Sequence, residues 1–195
     1  MKIASIYPFS AGKSWTKYKK YIFNHFFNTL SIDYKWEDPR DITFVKDLEG
    51  FRGLEILSLK SFDLSPLQYC KELTYLNIAC RVSKKTRLDL SKLNIRTYLG
   101  IDVESLASIY HAPELKRCTI SNCNLTDFSE ARLPHIERLT IIGSRTLVSL
   151  KGIENFPELK LVEIENCNKL KHPTLYHNGY PFLRIYIDGV LQTDV

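Results

Sequence analysis

Apolar residues follow a two-part pattern that recurs along most of the chain. In Leu115–Leu125 and Leu159–Leu170, apolar residues stand at the first, fourth and sixth positions, with polar residues between them. Alternation with period two is typical of a strand that buries one face. In Leu147–Leu159, apolar residues instead recur at every third position, which favours a 3-10-like turn with one inward face. The pattern therefore predicts a repeating unit of one strand and one return turn.

The strand half of this unit fits the template L-x-x-L-x-L-x-x-N/C-x-L. Leu115–Leu125 matches it position for position, and Leu159–Leu170 matches it with one extra residue before the last leucine. Units spaced 19 to 23 residues apart begin at residues 54, 73, 96, 115, 136, 159 and 182. These coincident matches predict a solenoid, in which each unit buries its apolar side chains against its neighbours.

The third unit admits two registers. In the first register, Leu99 and Ile101 face the core and Arg96 takes a position that is apolar in the other units. We expect this register, because the segment that follows then aligns with the equivalent segments of the other units. A shift by one residue uses residue 95 and Tyr98 instead, but it places Gly100 in the core.

On these motifs, residues 42–191 resemble the leucine-rich-repeat family. The resemblance implies an α/β fold, namely a curved solenoid with a concave parallel β-sheet and irregular or 3-10 turns on its convex side. We expect residues 42–195 to form this solenoid and residues 1–41 to form an N-terminal cap, as one continuous structural unit.

The expected cap is a β-α-β unit that covers the exposed end of the core. Lys2–Tyr7 and Ile32–Trp36 read as strands, and Ser14–Leu30 reads as a helix with Ser14 at its N-cap and aromatic residues along one stripe. At the other end, the strand around Ile185 and Ile187 shows no clear cap.

The assumed register also predicts which strand residues face outward on the sheet. In the first unit these are Ile56, Ser58 and Lys60. Tyrosine and arginine contribute strongly to protein interfaces, so the outward rows predict a protein-binding surface. A sheet that is merely solvated is the alternative. The candidate contact residues are Tyr75, Asn77, Tyr98, Asp102, Arg117, Thr119, Arg138, Thr140, Glu163, Glu165, Tyr186 and Asp188.

Charges on neighbouring strands also matter. Arg117 lies beside Arg138, and such like-charge pairs cost up to about 1 kcal/mol unless they are neutralised. We expect Glu163 to neutralise Arg138.

Composition places the chain among soluble, single-domain proteins. It has 195 residues, of which 44% are hydrophobic and 25% charged. No apolar run reaches the ~20 residues of a membrane-spanning helix, and the apolar stretch at the N-terminus is too short for a signal peptide. The five cysteines lack metal-ligand spacing and fit small, reduced core residues. We therefore expect a cytoplasmic protein.

Motifs of catalysis or cofactor binding are incomplete. Gly12-Lys13-Ser14 is similar to the end of a phosphate-binding loop, but Tyr7 stands where that loop needs its first glycine. The five histidines form no H-E-x-x-H motif, and no G-x-S-x-G motif occurs. The sequence thus predicts a protein that is not an enzyme and needs neither cofactor nor metal.

The irregular repeats, rich in Lys, Ile, Asn and Tyr, resemble those of small bacterial leucine-rich-repeat proteins. Some of these resemble immunity proteins of polymorphic or contact-dependent-inhibition toxin systems. The resemblance implies a monomer, or one half of a 1:1 heterodimer, that binds the C-terminal domain of a cognate toxin, such as a nuclease.

An RNA- or nucleotide-associated protein is the alternative function. It would use Lys13, Lys17, Lys19, Lys20 and the loop 83–87. The net charge of +5 and the isoelectric point near 8.9 are modest for a nucleic-acid binder, and the basic residues are scattered. A protein partner is therefore preferred.

Overall fold

A computed structural model describes residues 3–6, 28–34, 42–47, 50–82, 89–101, 109–170 and 183–192. Within these ranges ten strands, β1 to β10, form one sheet in chain order. Strands β1 to β9 are parallel to their neighbours, and β10 is antiparallel to β9. The strands are Ile3–Ile6, Thr29–Tyr34, Gly53–Phe62, Tyr75–Val82, Thr97–Ile101, Arg117–Ser121, Arg138–Ile142, Leu161–Glu165, Arg184–Ile187 and Val190–Leu191.

This arrangement is a parallel β-solenoid, which confirms the predicted solenoid architecture. One face of the sheet is buried from β2 to β9, because alternate residues of these strands carry apolar side chains. The inward residues include Leu30, Leu54, Ile56, Leu76, Ile78, Tyr98, Cys118, Ile120, Leu139, Ile141, Val162, Ile164 and Ile185.

The starts of strands β5 to β8 are fixed by one repeated backbone contact. Residues 96 and 97 both donate their N–H groups to the Thr74 carbonyl, and residues 116 and 117 do the same to the Arg96 carbonyl. The same double contact joins 137 and 138 to Lys116, and 160 and 161 to Glu137. Because each of these bonds joins a unit to its immediate neighbour, the solenoid is stabilised by nearest-neighbour stacking.

Four of the return segments contain a short 3-10 helix, as the three-residue periodicity predicts. In the return segment between β3 and β4, every third side chain enters the core, namely those of Leu64, Leu67, Cys70 and Leu73. The helices found in the described ranges are Thr43–Asp47, Ser65–Tyr69, Leu90–Lys92 and Ile153–Asn155.

A left-handed residue ends each of the four strands β6 to β9. Asn122, Gly143, Asn166 and Asp188 have φ values of 54°, 67°, 54° and 47°. Asparagine, aspartate and glycine are the residues that tolerate this region best. The four turns stack on one another, since Asn122 donates its N–H to Ile142 and Gly143 donates its N–H to Glu165.

The predicted register of the first unit is wrong by three residues. Strand β3 pairs Leu54 with Leu76 and Ile56 with Ile78, so the unit begins at Phe51 rather than at Leu54. Ile56 is fully buried instead of facing outward. Apolar residues recur at every third position just before this strand. A register shifted by three residues therefore still places apolar residues at the expected positions, and the sequence alone does not reveal the shift.

The predicted register of the third unit is wrong by one residue. Strand β5 pairs Tyr98 with Leu76 and Gly100 with Ile78, which places Tyr98 and Gly100 in the core and turns Leu99 outward. A Cβ atom on Gly100 would lie 2.7 Å from the ring and hydroxyl of Tyr98. Gly100 is therefore small because the Tyr98 ring fills the space that an isoleucine occupies in the neighbouring units.

The N-terminal segment joins the sheet directly. Strands β1 and β2 pair with each other in parallel, and β2 pairs with β3. Asn28 is not helical, and Thr29 and Leu30 belong to β2, so the predicted helix Ser14–Leu30 is wrong at its last three residues. The rest of that helix, at residues 14–27, lies outside the described residues, and the α/β class that depends on it stays a prediction.

The C-terminal edge carries a feature that sequence reasoning missed. Strand β10 folds back on β9 through Asp188 and Gly189, which both have positive φ, as in a two-residue hairpin turn. The Asp188 carboxylate also accepts the N–H of Asn166 at 2.8 Å. The two-residue strand thereby pairs with part of the edge of β9.

Candidate partner-binding face

The outward side chains of β3 to β9 form one continuous surface, which we call the open face. On β2 the equivalent residues Thr29 and Ser31 are buried, so the face starts at β3. Its three rows cross the strands at right angles, about 6.6 Å apart along each strand, while neighbouring strands lie about 4.8 Å apart. The first row holds Gly53, Tyr75, Thr97, Arg117, Arg138, Leu161 and Arg184; the middle row Glu55, Asn77, Leu99, Thr119, Thr140, Glu163 and Tyr186; the third row Leu57, Ala79, Ile101, Ser121, Ile142 and Glu165.

The first row carries three exposed arginines. Arg117 and Arg138 are direct neighbours on β6 and β7, and Arg184 lies two strands further on β9. None of the three guanidinium groups forms a salt bridge or hydrogen bond with another described residue. These cations are therefore available to a partner.

The cations just beside this row are neutralised within the chain. Glu137 accepts from Lys160 at 3.1 Å and from Lys116 at 3.4 Å, and these contacts lower the pKa of its carboxyl group. All three residues stand one position before the first row. Glu137 thus pairs with both lysines at this edge, whereas the arginines have no partner within the described ranges.

Two carboxylates of the middle row, those of Glu55 and Glu163, each accept a hydrogen bond from a neighbouring strand. The Tyr75 hydroxyl donates to Glu55 at 2.9 Å, and partial burial together with the Glu55 carboxylate raises the pKa of Tyr75 to about 12. The Thr140 hydroxyl donates to Glu163 at 3.0 Å. Glu163 therefore accepts a hydrogen bond from Thr140, and the salt bridges found among the described residues do not include the expected Arg138–Glu163 pair.

The third row is mostly apolar, and its apolar side chains are half-buried except for that of Ile101, which is exposed. Leu57, Ala79 and Ile101 are consecutive Cα partners on β3, β4 and β5, and Ile142 follows two strands later. Ile101 is 41% exposed, and the middle-row residue Leu99 stands beside it on the same face. Exposed apolar residues that cluster in this way mark interaction surfaces.

The structure places most of the predicted contact residues on the open face. Tyr98 is the exception inside the strands, because its side chain is buried in the core. Asp188 belongs to the β9–β10 turn, where its carboxylate caps Asn166. Asp102, the basic residues of the cap and the loop 83–87 lie outside the described residues. The predicted residues on the face are Tyr75, Asn77, Arg117, Thr119, Arg138, Thr140, Glu163, Glu165 and Tyr186.

Sequence reasoning missed the apolar part of the face because of the two register errors. The predicted registers place Leu57, Leu99 and Ile101 in the core and Ile56 on the surface. One signal could have found the correct register: Leu54-Glu55-Ile56 alternates apolar and polar residues in the same way as Leu76-Asn77-Ile78.

The cysteine thiols are poorly suited to nucleophilic chemistry. All five are free and buried, and burial raises the pKa of each, to about 11 for Cys70 and about 12 for Cys80. Cys123 lines a cleft of about 280 Å³ beside Asn122, Asn124, Gly143 and Arg145. Because only the thiolate is a good nucleophile, this cleft offers none near neutral pH.

Other chemistry is limited in the described part of the chain. His135 and Glu158 form a pair at 2.8 Å between exposed turns. The described residues contain no group of three or more His, Cys, Asp or Glu side chains that could hold a metal ion. They also include no helix with the length and hydropathy needed to cross a bilayer.

Searches of protein-family models and of curated proteins find no match to this chain.

Proposed function

We propose that the protein is a non-catalytic, protein-binding module that acts through the open face. The observation that carries the proposal is a row of arginines with no partner among the described residues, on the same face as an apolar row that includes the exposed Ile101. Protein interfaces combine arginine and aromatic residues with apolar contact in this manner. A face that served only solubility would have no need of three large apolar residues, Leu57, Leu99 and Ile101, within three consecutive strands.

The solenoid is proposed to be of the leucine-rich-repeat type, with the open face on its concave side. Three features support this: one strand per unit, 3-10 return turns, and a buried Cys or Ser just after the left-handed turn. Cys123, Ser144 and Cys167 occupy that last position. Ser144 donates to the Cys123 carbonyl at 3.0 Å, so its side chain links two units.

We further propose that the partner is a toxin domain, such as a nuclease, and that this chain is its cytoplasmic immunity protein. The resemblance of the repeats to small bacterial immunity proteins supports this step, and the contact surface fits it. An inhibitor of this kind works by covering the active site or the substrate surface of the toxin in a 1:1 complex. It needs affinity and no chemistry of its own.

Affinity capture from the native cells tests the proposal. The tagged protein should retain one protein in stoichiometric amount, and Arg117→Glu/Arg138→Glu should lose it. Lys151→Glu, an exposed charge reversal in a return turn, is the matched control and should retain it. Co-expression of the captured partner should then stop growth, and co-expression with this chain should restore it. Failure of protection would reject the immunity role, and equal capture by all variants would reject the open face.

A further inference from the structure

The open face has two chemically different edges. The first row presents Arg117, Arg138 and Arg184, which have no partner among the described residues, and the third row presents Leu57, Ala79, Ile101 and Ile142. Four residues of extended strand separate these rows, so they lie about 13 Å apart. An α-helix is about 10 to 12 Å wide with its side chains, and it therefore fits between the two edges when it lies across the strands.

The spacing along the rows distinguishes a helix from an extended segment. Arg117 and Arg138 are one strand apart, about 4.8 Å, and Arg184 lies about 14.4 Å from Arg117. Helix residues at i, i+3 and i+10 lie about 4.5 and 15 Å apart along the axis, on one edge. An extended segment places same-side residues about 6.6 Å apart, which does not match two adjacent strands.

We infer that the open face receives an amphipathic α-helix of the partner protein, with carboxylates along one edge and apolar side chains along the other. The inference depends on the proposed function and specifies the partner element that the same face binds. Carboxylates are required because the three guanidinium groups have no partner in the described chain, whereas the nearby lysines are paired with Glu137. Bidentate pairing suits arginine and carboxylate in particular.

The apolar edge favours a protein over a nucleic acid. Single-stranded nucleic acids need stacking platforms beside their phosphates, and the third row offers aliphatic side chains instead. Glu165 ends this row on β8, and Glu163 stands beside it in the middle row. These two carboxylates would repel a phosphate backbone, and they would accept a lysine at the end of the apolar edge of a helix.

Synthetic peptides of about 20 residues, which span about 30 Å when helical, test the inference directly. The first carries Glu at i, i+3 and i+10 on one edge and Leu along the other. The second has Lys in place of Glu. The third is a permutation of the first without helical periodicity. Wild-type protein should bind the first peptide at least about tenfold more tightly than either other peptide, since several exposed ion pairs each contribute less than about fivefold.

Two pairs of variants identify the edges. Arg117→Glu/Arg138→Glu should reverse the preference towards the Lys peptide, whereas Lys151→Glu should not. Ile101→Asp should weaken binding of the first peptide, whereas Val148→Asp, at an equally exposed apolar side chain outside the face (51% against 41% exposed), should not.

The outcomes separate this inference from the proposed function. Equal binding of the permuted peptide, the absence of peptide binding, or an unreversed preference would overturn the helix. Preferential binding of an oligouridylate of 12 nucleotides, sensitive to the same arginine reversals, would also overturn it and would replace the partner by a nucleic acid. A peptide result of this kind rejects only the helix. The proposed function still holds if the captured native partner binds the wild type and fails to bind the open-face variants.

Discussion

Tyr98 and Gly100 show how one residue pair substitutes for another inside a repeat. In the neighbouring strands the equivalent positions hold Leu76 with Ile78, and Cys118 with Ile120. The Tyr98 ring extends over Gly100, and its hydroxyl is buried with no hydrogen-bond partner among the described residues. The pair thus fills the core at the expense of an unsatisfied polar atom.

Adding a side chain at Gly100 should disturb this pair. Gly100→Ala should lower the free energy of unfolding by about 1 to 3 kcal/mol, because its Cβ would overlap the Tyr98 ring and force it to move. The double variant Tyr98→Leu/Gly100→Ile restores the pattern of the adjacent unit and should recover most of that loss. Urea unfolding measures both. A double variant less stable than Gly100→Ala would show that Tyr98 does not occupy this space.

Removing the buried hydroxyl group of Tyr98 should stabilise the folded protein. Tyr98→Phe keeps the ring and should raise the free energy of unfolding by about 1 kcal/mol, because an unsatisfied buried polar group costs about 1 to 3 kcal/mol. The same urea titration checks it, and a clear loss of stability would show that the hydroxyl is hydrogen-bonded.

At the scale of the element, turns govern how units join. Gly152 precedes the 3-10 helix Ile153–Asn155 with φ of 99°, and a Cβ there would lie 2.2 Å from the Phe128 carbonyl carbon. Gly189 in the β9–β10 hairpin has φ of 78°, but its added Cβ would meet nothing within 4 Å. The two glycines share a backbone conformation and differ in their surroundings.

The comparison of these glycines separates backbone strain from packing. Gly189→Ala should cost about 1 to 2 kcal/mol, which is the penalty of a left-handed conformation for a residue with a Cβ. Gly152→Ala should cost at least about 1 kcal/mol more, since the Phe128 backbone must also shift. Thermal unfolding of the two variants gives the difference. Equal losses would contradict the close approach of the two backbone segments.

The turn that ends β9 provides a second test at this scale. Asp188→Ala should cost about 1 to 2 kcal/mol, because it removes the acceptor for Asn166 N–H and places alanine at positive φ. Asp188→Asn retains an acceptor oxygen and tolerates this conformation, so it should lie close to wild type. A stable Asp188→Ala variant would show that the hairpin does not need this cap.

The sequence predicts elements better than it predicts registers. Strands β6 to β8 have unambiguous neighbours, and their predicted outward residues are confirmed. The predicted register of the first unit is wrong because apolar residues recur there at every third position, so a shift of three residues preserves the pattern. The predicted register of the third unit is wrong because Gly100 is an atypical core residue. The C-terminal hairpin was missed although Asp188-Gly189 is a favoured hairpin dipeptide. These errors concealed the apolar row, which depends on knowing which face each leucine occupies.

At the scale of the whole molecule, the core is continuous from β2 to β9 and includes all five thiols. Burial raises the pKa of Cys70 to about 11 and of Cys80 to about 12, from an ordinary value of 9.0. A raised pKa means that the folded protein holds protons that the unfolded chain releases. The contribution of these two thiols to the free energy of unfolding is therefore fully present below about pH 9 and is lost as the pH rises towards 11 and 12.

This coupling predicts the shape of the alkaline stability curve. The free energy of unfolding should decrease between pH 9 and 11, by about 2 to 3 kcal/mol for the Cys70 shift alone. Cys70→Ala should flatten that decrease, whatever its stability at pH 7. Urea titrations at a series of pH values give both slopes. Parallel curves for the two proteins would show that the Cys70 thiol is accessible to water.

The central claim is that the open face binds a protein, and titration calorimetry of the captured partner tests it most directly. We expect 1:1 binding by the wild type, unchanged within twofold for Lys151→Glu and Val148→Asp. Arg117→Glu/Arg138→Glu and Ile101→Asp should each weaken it at least about tenfold with unfolding curves close to wild type, since all of these side chains are exposed. Equal affinities for the open-face and control variants would contradict the account.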